Sequence, residues 1–443
     1  MEKSQSAASK LSPAQLVAIS VGNAFEWYDF VVYAYVAAEL SGAFFPGNDS
    51  GVHLLQAFAV FAVAYFFRPL GGILFGHIGD RWGRKRILTV IVTLTGVSSA
   101  AIGILPTYSQ VGILAPILLL TLRIVQGIAA GGEYGGAAAY LAESTPAHER
   151  GRYISIVPQT SYVGLLFASL LLSGLRAGLG NSAFHAWGWR VPFLVALPTA
   201  FIALWMRSKL NESTQFQRLR DADALEHNPL SSSLQQDWRI ILQVIGLMAC
   251  LSVGTYVIMV YLQTYLYRVG RLDAISAQWV MSAVLLAAIV VLPYAGRLSD
   301  NFGRRPTMFA SLLLLMIVPV PAFMILSASN VVLSLITSIT LAAIFAAYQV
   351  ASLTAMTEVF NTARRLSGFN IGYNVAIAVF AGPTPYVAMF LIESTGVKIA
   401  PAYLVVGSAV ASILTALTLK ESAPLLVEVR RYRVREKEKP TAV

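Results

Sequence analysis

The chain has 443 residues, of which 56% are hydrophobic and only 12% charged, with a mean hydropathy of +0.66. That is too little charge to clothe a soluble fold of this size, so a polytopic membrane protein is expected. A single cysteine, Cys250, excludes a disulfide framework and a cysteine-built metal site, and no Gly-Lys-Ser/Thr phosphate loop supports an ATP-driven pump.

Twelve continuously apolar stretches are each long enough to cross a ~30 Å hydrocarbon core as helix. The first six cover residues 14–39, 53–77, 87–106, 113–141, 153–175 and 190–207. The others cover 239–267, 276–297, 307–327, 331–357, 367–393 and 399–419. The runs lack the alternation of a β-barrel, which makes an all-α integral membrane protein the expected fold class. Pro383, Thr384 and Pro385 should break the eleventh stretch. The first apolar run is too long for the core of a cleavable signal.

Of the 32 Lys and Arg, 25 fall in the N-terminus, alternate loops and the tail, against 5 in the opposite loops. The positive-inside rule then puts both termini in the cytoplasm of a bacterial-type inner membrane. It also accounts for the net charge of +10 without nucleic acid; the basic tail is expected to be a solvated cytoplasmic end, with contact to anionic membrane lipid the alternative.

Polar residues 208–238 separate six stretches from six, and local patterns recur across them. Gly76, Asp80, Arg81, Gly83, Arg84 and Lys85 after the second stretch match Gly296, Asp300, Asn301, Gly303, Arg304 and Arg305 after the eighth, 220 residues later. Glu143 and Arg150 match Glu358 and Arg365 at an offset of 215, and Glu212 and Ser213 match Glu421 and Ser422 at 209. The duplication divides the chain into a six-helix half over 1–207, a linker over 208–238, a second half over 239–420 and a basic tail over 421–443. Two such halves usually enclose a site near the bilayer midplane.

The glycine, aspartate and arginine pattern after the second and eighth stretches resembles the signature of the major facilitator superfamily. More narrowly, Gly22, Asn23, Glu26, Trp27, Tyr28, Asp29 and Phe30 resemble the first helix of its metabolite:proton symporter family. Arg68 to Gly72, Gln126 to Gly136 and Gly188 to Phe193 are similar to further segments of that family. The resemblance covers the whole chain. It implies twelve helices in two pseudo-symmetric halves, no enzymatic activity, and proton-driven import of a metabolite. Cargoes in that family include citrate, α-ketoglutarate, tricarballylate, shikimate, proline and glycine betaine. It also implies that Asp80, Arg81, Arg84, Glu143, Arg150, Asp300, Arg304, Glu358 and Arg365 act as a charged gate.

Ionisable residues inside a bilayer are expensive and mark function by default. They lie almost wholly in the first half: Glu26, Asp29, Arg68, Arg123 and Glu133. Three acids against two bases leave one carboxylate in excess, which makes Glu26, Asp29 and Glu133 the proton-coupling candidates. Glu26 and Asp29, three residues apart, should share a helix face and repel. Arg68, Arg123 and Gln126 are the substrate-binding candidates of the first half, joined by Tyr256, Gln349, Asn370 and Asn374 of the second. Structural ion pairing and interhelical hydrogen bonding are the alternative roles. Because a guanidinium grips carboxylates in bidentate fashion, an organic di- or tricarboxylate such as citrate is the expected cargo. Proline or glycine betaine uptake is the alternative, and drug:proton antiport a second one. A monomer without cofactor, coupled only to protons, is expected.

Overall fold

The computed structural model describes residues 13–45, 50–208, 217, 220, 221, 229–362 and 364–423. Most of the predicted linker, the tail beyond 423 and the side chain of Arg84 lie outside what is described. The described residues are all helix and short connection, with no strand among them.

All twelve predicted stretches hold helix. Among the described residues, 9 helices are long and apolar enough to cross a membrane, or 10 with one bent pair counted as a span. The difference from twelve has local causes. The first span, divided at Val36 into Pro13–Tyr35 and Ala37–Phe44, is long enough but carries Asn23, Glu26 and Asp29, and the sixth, Arg190–Ser208, is comparatively short. The ninth bends by 46° between Arg304–Ile317 and Pro319–Leu326, where the proline cannot extend the hydrogen-bond ladder.

The remaining spans are Ser50–Trp82 (second), Arg84–Ile104 (third), Leu114–Ser144 (fourth) and Ile156–Ala183 (fifth), then Ala274–Phe302 (eighth), Val331–Glu358 (tenth) and Ala400–Thr418 (twelfth). The seventh and eleventh are composite. Trp238–Gly254 passes through a widened turn at Thr255–Tyr261 into Leu262–Arg268. Arg365–Ala376 passes through a similar turn at Ile377–Ala381 and restarts at Thr384, at the predicted proline break.

Packing repeats the sequence duplication. Spans 2 and 4, 3 and 6, and 1 and 5 pair in the first half, as 8 and 10, 9 and 12, and 7 and 11 do in the second. The halves meet through spans 2 and 11 on one side and 5 and 8 on the other. Large apolar side chains such as Phe66, Trp205, Trp279 and Ile317 point outward, as a lipid-facing surface requires.

Two glycines make the sharp corners of the repeated loop. Gly83 joins the second span to the third with φ 103° and ψ 155°, and Gly303 joins the eighth to the ninth with φ 101° and ψ 158°. That backbone region is essentially closed to residues with a Cβ. Spans 2 and 4 approach so closely that a Cβ on Gly131 would lie 2.2 Å from the Arg68 carbonyl oxygen.

Candidate functional site

The intramembrane charges are stacked in layers along the fourth span. Arg123 and Glu133 are ten residues apart, about 15 Å of helix rise. Arg123, Gln126 and Glu133 are all fully buried.

In the layer farthest from the basic loops, the Arg123 guanidinium donates to Gln126 Oε1 at 2.8 Å. Gln126 Nε2 in turn donates to Asp29 Oδ2 at 2.9 Å and reaches Ser99 Oγ at 2.6 Å, while Ser99 Oγ donates to Asp29 Oδ1. Gln126 thus stands between guanidinium and carboxylate. The Nε and Nη2 of Arg123 have no hydrogen-bond partner among the described residues. Its charge faces rings instead: Tyr33 at 4.3 Å, Phe30 at 5.1 Å and Phe61 at 5.4 Å from the guanidinium carbon. Desolvated contacts of this kind contribute about 1–2 kcal/mol each at best. Two idle buried donors cost about 1–3 kcal/mol apiece. The site therefore holds a cation with unmet donor capacity.

One turn nearer the basic loops, Arg68 Nη2 pairs with Glu26 Oε1 at 3.0 Å and donates to the Ala130 carbonyl at 3.1 Å. Phe30 lies between the layers, 5.1 Å from the guanidinium carbon of Arg68 as well. Glu26 and Asp29 have separate partners, Arg68 for one, Ser99 and Gln126 for the other. Glu133 lies buried farther along the fourth span, away from the Arg123 layer.

The second half closes this region with neutral groups. The Tyr65 and Tyr256 hydroxyls meet at 2.5 Å across the halves, and Tyr162 donates to Gln349 Oε1 at 2.7 Å. Asn374 Nδ2 donates to the carbonyls of Gly131 at 2.7 Å and Asn370 at 2.8 Å, with Oδ1 facing Arg68 Nε at 3.5 Å. Its amide is thus committed to the seam between spans 4 and 11. Asn370 is fully buried, and neither of its amide atoms has a hydrogen-bond partner among the described residues.

At the basic end the halves lock by exchange. Arg150 pairs with Glu358 at 3.2 Å and Arg365 with Glu143 at 3.5 Å, so each half lends one acid and one base to the other. Asp300 accepts from the backbone N–H of Gly151 at 2.8 Å and Arg152 at 2.9 Å. Asp80 accepts from Ser367, at 2.9 Å from the backbone and 2.5 Å from the hydroxyl. Each aspartate therefore caps a helix start of the opposite half, where the dipole favours negative charge. Arg304 holds Asp300 at 2.6 Å and Glu358 at 3.3 Å, and Glu421 caps its backbone N–H at 2.9 Å. Arg81 is exposed.

The opposite end is less sealed. A polar cavity of about 90 Å³ opens there among Tyr35, Ser169, Ser173, Arg176, Gln263 and Gln278. Gln278 bridges the halves by donating to Ser169.

Ser99, Ser367 and the rings of Tyr33, Phe61 and Tyr65 that join Phe30 in the cradle do not stand out in the sequence. The signal was present in part. Phe61 and Tyr65 stand four apart on one helix, and Tyr33 follows Asp29 by the same interval. Nothing local tells a ring that faces a guanidinium from one that faces lipid.

A two-half bundle with charges buried in its interior and one end locked across the halves has the architecture of a secondary transporter. Residues 15–227 match the family model "Sugar (and other) transporter" and residues 244–441 the model "Major Facilitator Superfamily". The chain is 35% identical over 417 residues to the glycine betaine/proline/ectoine/pipecolic acid transporter OusA of Dickeya dadantii, covering 92% of this chain and 83% of that one. It is 34% identical to the proline/betaine transporter of Escherichia coli K12, with the same coverage. Against the ectoine/proline transporter ProP of Corynebacterium glutamicum it is 34% identical over 433 residues, covering 94% and 86%. Among solved structures it resembles the proton:xylose symporter XylE, with a TM-score of 0.71, 18% identity and coverage of 92% and 96%. The chain belongs to the major facilitator superfamily, within its metabolite:proton symporter branch, and is a multi-pass membrane transporter.

Proposed function

We propose that this transporter imports a small zwitterionic osmolyte of the proline, betaine or ectoine class together with protons, by alternating access. The observation that carries this reading is Arg123, a single buried guanidinium with two idle donors set among aromatic rings. One fork of donors fits one carboxylate, and the adjoining ring faces fit the cationic end of the same molecule. A di- or tricarboxylate would bring two or three negative charges to a site whose other guanidinium is already bound by Glu26. The relatives named for proline, betaine and ectoine support the same side. Both considerations replace the citrate-like cargo expected from the arginines alone.

Asp29 is the best-supported proton carrier. Glu26 is neutralised by a direct ion pair, whereas Asp29 is held by the neutral donors Ser99 and Gln126. In this reading the basic end faces the cytoplasm of a bacterial inner membrane, as the loop charges require. The closed gate then corresponds to a state that has not yet opened inward.

The test is uptake into proteoliposomes under an imposed inward proton gradient. Proline or betaine should accumulate several-fold above the level reached without the gradient, and citrate should not. Accumulation of citrate with neither zwitterion moving would overturn the proposal.

A further inference from the structure

Between the Arg68 layer and the basic end, the halves are bridged by stacked rings. Trp27 stands edge-on to Tyr134 at 6.4 Å, Tyr134 lies flat on Tyr373 at 4.9 Å and 11°, and Tyr373 lies on Phe369 at 5.5 Å and 17°. Tyr134 is on the fourth span and Tyr373 on the eleventh, so the central stack crosses from one half to the other. Asn370 sits beside it against Gly135, where an added Cβ would lie 1.8 Å from its Oδ1.

Asn370 is the unusual member of this layer. It is fully buried, its oxygen and nitrogen are both unpartnered, and its neighbour Asn374, one turn on, is fully bonded. A buried amide left without partners loses its hydration for nothing in this state. Nearby, the indole N–H of Trp27 is likewise buried without an acceptor. Unpaired polar groups and covered ring faces are thus gathered at the seam between spans 4 and 11.

We propose that this layer is a second, release-side subsite for the zwitterion, occupied once the basic end opens. Parting the halves separates Tyr134 from Tyr373 and uncovers two ring faces for the ammonium group. The same movement frees the Asn370 amide to donate to the carboxylate. Closure stacks the rings again and removes the subsite, so the stack is both plug and docking surface. Exchanging ring–ring for ring–cation contact makes the plug cheap to open only when cargo is present. The Arg123 layer, roughly 15–20 Å away along the fourth span, remains the entry-side site. The inference rests on the zwitterion reading of the cargo.

The experiment compares the two faces of the transporter in proteoliposomes of fixed orientation, with radiolabelled proline. Half-saturation for external proline is measured by uptake and for internal proline by efflux. Asn370→Leu and Tyr373→Leu should raise the internal value at least tenfold more than the external one. Tyr373→Phe, which keeps the ring face, should recover most of the internal affinity lost in Tyr373→Leu. Equal rises on both faces, or none on the internal face, would overturn the subsite while leaving osmolyte transport standing. If wild-type protein moves neither proline nor betaine, the functional reading itself fails.

Discussion

Replacing Arg123 by Lys keeps the positive charge among Phe30, Tyr33 and Phe61 but removes the planar pair of donors. Lys and Arg are not interchangeable where two parallel bonds are made. Arg123→Lys should therefore raise the half-saturation for proline about tenfold, near 1.4 kcal/mol, and Arg123→Gln more. If uptake curves for the Lys variant overlay wild type, the guanidinium is not the carboxylate site. Asp29 calls for a different readout. Asp29→Asn keeps one carbonyl oxygen, which can accept from Ser99 or from Gln126 but not replace both carboxylate oxygens, and it cannot cycle a proton. Gradient-driven accumulation should vanish while exchange of internal for external proline continues. Full accumulation in this variant would move proton coupling to Glu133 or Glu26.

At the scale of the helices, two glycines on the fourth span separate stability from conformation. Gly131 packs inside one half, where a Cβ would lie 2.2 Å from the Arg68 carbonyl oxygen and 2.5 Å from the Gly72 nitrogen. Backbone cannot yield, so Gly131→Ala should destabilise by about 1–3 kcal/mol, visible as a lowered melting temperature in detergent. Gly135 faces the other half through Asn370 and Phe369. Gly135→Ala should instead wedge the release side open, with a smaller change in melting temperature and greater labelling of cysteines placed near the gate. The apolar runs made the spans legible in the sequence, since a bilayer leaves little choice of structure. The division at Val36 and the widened turns at Thr255 and Ile377 were not, because they depend on packing against neighbouring spans. The site was legible in its charged members and not in its pairings. Glu26 and Asp29 share a spacing that reads as repulsion, and only the third dimension supplies Arg68 to one and Ser99 to the other.

For the molecule as a whole, the locked end sets the balance between its two openings. Alternating access keeps these states within a few kcal/mol, so removing one interhalf capping interaction should shift them visibly. Asp80→Asn weakens the cap on Ser367 and should increase the inward-open population. In a Cys250→Ala background, reporter cysteines at the far mouth should label more slowly than in the parent. Unchanged labelling would mean that the loop fixes topology alone. The exchanged ion pairs give a sharper check. Glu143→Arg with Arg365→Glu should restore part of what either single change removes, because the two side chains meet at 3.5 Å.

The reciprocity of that lock has the form that duplication of one half would give it. Glu143 meets Arg365 as Glu358 meets Arg150, and Asp80 caps Ser367 as Asp300 caps Arg152. Each contact has a twin in which the halves trade roles. Such self-complementary pairing is what two identical subunits make across a two-fold axis. A six-helix ancestor carrying one aspartate, one glutamate and one arginine at these places would have closed on a copy of itself with the same bonds. The present polypeptide is, in its gate, a homodimer written into a single gene. Its halves differ at the centre, where the buried charges lie in the first, while the seam that joins them keeps the same bonds from both sides.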